Sequence, residues 1–216
     1  MSSGRITMKT VLKTIVRILS SLLVLPAVGI YSLHSGISGR ERAFPGWSQL
    51  FSLVPGQTGV YLRQAFYRFT LKRCDEDASI GFGTIFSHPG AAVGRTAYIG
   101  NFCSIGDVQI GDDALIASHV SIMNGCRQHS TASLELPVRE QAGVYEPVTI
   151  GRDAWIGERA TVAASVGNHC VIGAGALVLT PIPDYAIAVG VPAKVIRHRR
   201  APNERSGPEP DVNTVS

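Results

Sequence analysis

Residues 120–130, VSIMNGCRQHS, bring a carboxamide (Asn124), a thiol (Cys126) and an imidazole (His129) within six positions. Imidazole has the side-chain pKa nearest neutrality, so a histidine here can take a proton from an attacking hydroxyl and return it to a leaving group. A cysteine three residues from a histidine raises a second chemistry, a thiolate nucleophile activated by its neighbour. The plain alternatives are a solvated loop histidine and an inert loop thiol. His119 and His169 fall at free positions of a repeat, His88 in an irregular stretch, and His34 and His198 outside it. Cys74, Cys103, Cys126 and Cys170 form no CxxC pair and no zinc-ligand spacing, which predicts reduced thiols and no metal.

The elements that must position these residues announce themselves as a beat. An aliphatic residue followed by a small one returns at Val93-Gly94, Ile99-Gly100, Ile105-Gly106, Ile110-Gly111 and Ile116-Ala117, stops after Ile122, and resumes at Ile150-Gly151. Neither an amphipathic helix nor an alternating strand has a period near six. Short strands joined by tight corners do, with the aliphatic side chain pointing into a narrow stack and the small residue permitting the turn. Cys103 and Cys170 occupy positions open to a small core residue. The interruption predicts a loop of about 124–147 leaving the stack and walling a cleft beside it.

This pattern resembles the hexapeptide-repeat acyltransferases over roughly residues 80–197. The implied fold is all-β, a left-handed parallel β-helix, here with an N-terminal apolar and amphipathic helical segment. GRDAWIG (151–157) resembles the GxxxWIG signature of the xenobiotic, galactoside and maltose acetyltransferase branch, and GVPAKVIR (190–197) resembles its closing element. The resemblance implies that His129 is the catalytic base in direct acetyl transfer from acetyl-CoA to a hydroxyl. It implies that Glu158 (through its backbone), Ala174, Lys194 and Arg197 contact the cofactor, and that Trp155 and Asn124 lie on the acceptor side. It further implies a homotrimer with active sites between subunits. Where the branch has Thr-Lys, this chain has Leu179-Thr180, so a phosphate contact must come from elsewhere, with Arg199 and Arg200 the candidates. A γ-carbonic-anhydrase-like zinc trimer would need three histidines on neighbouring coils, which His119 and His129 fit poorly.

Charge divides the chain. Residues 1–73 hold ten Lys/Arg against the single acid Glu41, +9, while the remainder is −5. The division predicts a basic, membrane-associating segment over 1–73, a β-helix domain over 74–197, and a disordered tail over 198–216. Residues 18–33 are free of charge, too short as a helix to span comfortably, and interrupted by Pro26, which predicts a re-entrant or interfacial element. Residues 50–73 predict a helix with Tyr61, Leu62, Ala65, Phe66 and Phe69 on one side and Arg63, Arg68, Lys72 and Arg73 largely on the other. Such a helix either rests on anionic headgroups or caps the open end of the following domain. The front end also resembles exopolysaccharide (colanic-acid-type) acetyltransferases. That likeness implies a saccharide or glycolipid acceptor and a place at the cytoplasmic face of the inner membrane, with a small-molecule acetyltransferase of the cytoplasm, or a non-catalytic scaffold, as the alternatives. Nothing suggests nucleic-acid binding.

Overall fold

The computed structural model describes residues 8–126 and 128–199; Arg200 and the tail predicted over 201–216 lie outside the described residues. Three helices, α1 (Met8–Ser38), α2 (Arg40–Ser52) and α3 (Gly56–Thr70), precede a parallel β-solenoid of about six turns, a left-handed β-helix. Its strands of mostly two residues stack into three sheets. Sheet A begins at Arg73–Cys74, sheet B at Ser79–Ile80 and sheet C at Ile85–Phe86. The register keeps like above like: Ile80, Ile99, Ile116, Ile156 and Ile172 form one inward column in sheet B, and Phe86, Ile105, Ile122, Val162 and Val178 another in sheet C. These columns are sealed from solvent, and small residues such as Ala97, Cys103, Ala114, Ala154 and Cys170 fill the inward positions between them. Burial pushes the Cys74 thiol up to about 12 and raises Cys103 and Cys170, so these three sulfurs act as core atoms.

The small residue after each aliphatic has a reason different from turn geometry. A Cβ on Gly94, Gly100, Gly111 or Gly157 would stand 2.5–2.7 Å from backbone of the next coil, far inside contact distance. The left-handed backbone of each corner falls two residues later, mostly on side-chain-bearing residues: Thr96, Phe102, Asp113, His119, Asp153, Arg159, His169 and Tyr185. Each costs about 1 kcal/mol or more in isolation. The corners offset this with hydrogen bonds between coils, Phe102 N–H to the Phe82 carbonyl, His119 to Asn101 and Tyr185 to Asn168, at 2.8–2.9 Å. Side-chain carbonyls and carboxylates extend the ladder: Asn168 Oδ1 accepts from Arg152 N–H (2.9 Å) and Asp184 Oδ1 from Asn168 N–H (2.8 Å).

The N-terminal segment corrects the sequence reading in three respects. Pro26 neither ends nor turns the apolar stretch, because α1 runs unbroken from Met8 to Ser38. Neighbouring packing can hold a helix through a proline at the loss of one backbone hydrogen bond. At about 1.5 Å per residue the helix is also much longer than the charge-free stretch implied, roughly 46 Å. Third, Arg63 is not on an outer face. Its side chain is fully buried, with Nε donating to the Ile80 carbonyl (3.0 Å) and Nη1 to the carbonyls of Val54 (2.6 Å), Phe51 and Ser52 (both 3.4 Å). Burial pushes this guanidinium below its usual value, with the nearby Tyr67 opposing the shift. Arg63 is a bolt that ties the end of α2 and the first coil to α3. Phe51, Phe66 and Tyr67 pack around it toward Phe86, so α2 and α3 cap the first coil of the solenoid.

Replacing Arg63 with Ala would remove the side-chain donor to the Ile80 and Val54 carbonyls, leave those of Phe51 and Ser52 to their backbone donors Val54 N–H and Gly83 N–H, and open a cavity, at a cost of about 2–5 kcal/mol. Chemical denaturation of the full chain should show the midpoint falling accordingly, and Arg63→Lys should recover little because one ammonium cannot reach all four acceptors.

Candidate active site

The chain leaves sheet C at Ser121–Ile122 and rejoins the stack in sheet A at Val148–Ile150, so the loop between them leaves at the corner joining those two sheets. One short 3₁₀ turn, Val138–Glu140, is its regular element, and Gln141 holds it together. The Gln141 amide donates to the Ser133 and Leu136 carbonyls (2.9 Å each) and accepts from Ser133 N–H (3.0 Å). At the base, Glu146 N–H donates to the Asn124 carbonyl (3.3 Å). The outgoing and returning limbs touch at Gly143, where any Cβ would collide with the Gln128 carbonyl.

At this corner the register stacks His88, Asp107 and Asn124 on three successive coils. Asn124 is buried, and its side chain reaches back past Gly106, where a Cβ would collide with Oδ1. Oδ1 accepts from the Asp107 N–H, which fixes the amide orientation and leaves Nδ2 pointing at the His88 ring, 3.3 Å from Nδ1 and 3.5 Å from Nε2. The Ser87 hydroxyl lies 2.8 Å from His88 Nδ1. This cluster lines two adjoining hollows. One, of about 280 Å³, is bounded by Glu41 of α2, Asp107 and Tyr145; the other, of about 340 Å³, by Ser104, Ser121 and Gln128. A third hollow of about 320 Å³ runs under the loop between Cys126, Ala163 and Leu179.

His129 sits on the exposed outgoing limb, directly after Gln128. Cys126 donates to the carbonyls of Ala163 (3.4 Å) and Leu179 (3.5 Å), which seats the thiol against the coil wall; no histidine is among its partners. Glu158, Ala174 and Lys194 form a second patch. Glu158 and Ala174 are stacked in register at the corner between sheets B and C, the Glu158 carbonyl accepting from Gly175 N–H (2.8 Å), and Lys194 pairs with Val189 on the terminal antiparallel strand Lys194–His198. Between this patch and the His88–Asn124 cluster runs the outward face of sheet C with Ser104, Ser121 and Thr161. Arg197 stands three residues along from Lys194, opposite Ile187. Trp155 is elsewhere, half-exposed on the outward face of sheet B beside Tyr98 and Leu115 in neighbouring coils. Within one chain it does not meet the Asn124 cluster. Arg199, a candidate for the missing phosphate contact, donates to the Asp153 carboxylate (3.2 Å) and the His169 carbonyl (3.1 Å) at a different corner. His169 first, then Arg199, holds the Asp153 carboxyl below its usual range. Among the described residues no three His, Cys, Asp or Glu side chains gather as a metal site.

His88 and Glu41 are the members of the site that sequence reading passed over. For His88 the signal is spacing: 88 and 124 differ by 36, two full coils of three hexapeptides; Glu41, on α2, has none.

Comparison with known proteins agrees with this architecture. The family model described as the hexapeptide repeat of succinyl-transferase matches residues 147–180. Galactoside O-acetyltransferase of Escherichia coli is 36% identical over 112 residues, 49% of this chain and 52% of its own. A solved galactoside acetyltransferase in complex with coenzyme A superposes with a TM-score of 0.63 at 28% identity, over 74% of this chain and 82% of that one. WbbJ of E. coli, named for O-acetyl transfer in lipopolysaccharide biosynthesis, is 36% identical over 126 residues, 55% of this chain and 63% of its own. Serine acetyltransferase of Bacillus subtilis is 32% identical over 158 residues, 70% of this chain and 66% of its own. The chain thus spans about half to two thirds of the length of these curated relatives. It belongs to the hexapeptide-repeat acyltransferases.

Gly106→Ala should displace the Asn124 side chain and unlock His88 without opening the core. The expected result is a melting temperature within a few degrees of the parent and loss of the coupling between Asn124 Nδ2 and the His88 ring, read from histidine ring chemical shifts.

Proposed function

We propose that the protein transfers an acetyl group from acetyl-CoA to a sugar hydroxyl, with His129 as general base. The observation that carries this reading is the loop. It leaves the coil stack at one corner, closes back on itself at Gly143, and holds His129 next to Gln128, which lines the hollow shared by His88 and Asn124. His129 takes the proton as the acceptor oxygen attacks the thioester carbonyl. The tetrahedral intermediate collapses, the C–S bond breaks, and the departing sulfur receives that proton from the imidazolium. Backbone N–H groups stabilise the oxyanion. The solved relative bound to coenzyme A supports the donor, and the residues fit it. Glu158 and Ala174 present a corner along which a pantetheine arm can lie, and Lys194, with Arg197 three residues on, offers exposed cations for phosphate oxygens. Asn124 has both ends of its amide engaged, so its part is to orient His88 and shape the acceptor pocket.

The galactoside enzyme and WbbJ support a saccharide acceptor, and WbbJ supports one belonging to an envelope polymer or its lipid-linked precursor. The long match to serine acetyltransferase favours, as a second reading, a small hydroxylated metabolite. Trp155 and the sheet B stripe lie on a face apart from the His88–Asn124 cleft, which supports an assembly in which one copy's stripe faces another copy's cleft, and a closed ring of three is the proposed form. Acetyl-CoA is a cytoplasmic metabolite, so the proposed location is the cytoplasmic face of the inner membrane.

At matched, three-copy mass by sedimentation equilibrium, His129→Ala should lower kcat by about 10²–10⁴ in an assay of thiol release with saccharide acceptors. His88→Ala should act chiefly on acceptor KM, and Cys126→Ala should stay within a few-fold of the parent. If His129→Ala retains activity while His88→Ala loses the same factor in kcat, the base is His88.

Replacing Lys194 and Arg197 together with Ala should weaken coenzyme A binding by about 2–4 kcal/mol and flatten its dependence on salt. Titration calorimetry at two ionic strengths reads both effects; an unchanged dissociation constant puts the phosphates elsewhere.

A further inference from the structure

α1 has two unlike sides. At 100° per residue, its exposed aliphatic side chains, among them Leu12, Leu19, Leu23, Ile30, Leu33 and Ile37, fall within one sector of about 160°. They are 59–79% exposed, and no charged residue falls in that sector. Within Val11–Ser38 an 18-residue window has mean hydropathy 1.9 with only 11% of it buried, so it is not the core helix of this body. Its other side is fastened to the protein along most of its length. Lys13 and Arg17 pair with Asp77 of the first coil; Arg68 and Glu76 border Leu22 and Leu25 in the middle; Tyr31 packs edge-on to Phe44 and Phe66, and Trp47 Nε1 donates to His34 Nδ1 (3.2 Å) near the far end.

We propose that α1 is an in-plane membrane anchor, lying along one leaflet with its outer sector among the acyl chains and never crossing. Length alone would permit a span, since about 20 apolar residues suffice. The fastenings forbid it. Standing upright in the bilayer, α1 would draw Arg17, Asp77, Arg68 and Glu76 into hydrocarbon at several kcal/mol for each ion. Lying flat, it immerses a strip roughly 46 Å long and leaves those ions at headgroup level, and the excess of basic over acidic residues in 1–73, buried Arg63 apart, favours anionic lipid. Phe69, half-exposed and facing Ile18, Leu22 and Leu25 across the groove between α1 and α3, extends the same apolar strip. The occupant is therefore a lipid surface rather than a second copy of the chain. This inference does not rest on acetyl transfer.

Flotation of the full-length protein with vesicles of phosphatidylcholine and phosphatidylglycerol tests it. The parent should float, and Leu19→Glu with Leu23→Glu should reduce flotation at least tenfold while the melting temperature and thiol-release activity on a soluble acceptor stay unchanged, because both side chains are mostly exposed. Depth decides orientation. With Cys126 replaced by Ser, an environment-sensitive fluorophore on a cysteine placed at position 12, 22 or 33 should be quenched alike, at one shallow depth, by brominated lipids. A middle site deeper than both ends means a spanning helix and overturns the proposal. So does a parent that stays with the soluble fraction, including one whose self-association the paired glutamates abolish.

Discussion

The structure depends on how closely its coils can approach. Strands of mostly two residues bury little each, and the stack holds because successive coils approach backbone to backbone at corners such as those of Gly94, Gly100, Gly111 and Gly157, where a methyl group would intrude on the next coil. That contact sets the coil spacing, and the spacing sets everything attached to the corners. Side chains a full coil apart become neighbours, inward aliphatics form unbroken columns, and positive-φ residues that would be costly alone are held by hydrogen bonds from the coil above or below.

The same spacing builds the cleft. Asn124 can bridge to His88 across an intervening coil because Gly106 leaves the gap, and the Asp107 N–H then fixes which end of the amide faces the imidazole. The loop adds the remaining functional groups from outside the stack. Rigid scaffold and projecting loop thus divide the work, the first setting positions to within a hydrogen bond and the second supplying a side chain that can reach a substrate.

The repeat was legible because a column of identical contacts writes an identical residue every turn; Ile99, Ile105, Ile116 and Ile156 are the fold spelled out. The excursion at 124–147 was legible for the same reason, as a gap in the spelling. The glycines were found but misexplained, since sequence shows that a residue is small and not which neighbour demands it. Arg63 was hidden altogether. A charge pattern assigns a cation to water, and only the folded chain reveals the Val54 and Ile80 carbonyls, just past α2 and in the first coil, to which Arg63 donates. His88 was missed because the unit containing it, FSHPGAA, carries an extra residue that obscures the coil count.

A parallel stack ends in unpaired backbone at both extremities, and either end could template addition of another molecule without limit. In this chain the first coil lies under α2 and α3, and on the last one the strand Lys194–His198 reverses direction and pairs antiparallel with Ala186–Val189. The reversal presents a final rung whose polarity does not match an incoming parallel coil, and Lys194 and Arg197 add like-charge repulsion between two such ends. Filament growth is thereby discouraged at both poles, which leaves the flanks of the prism as the surfaces free for specific assembly.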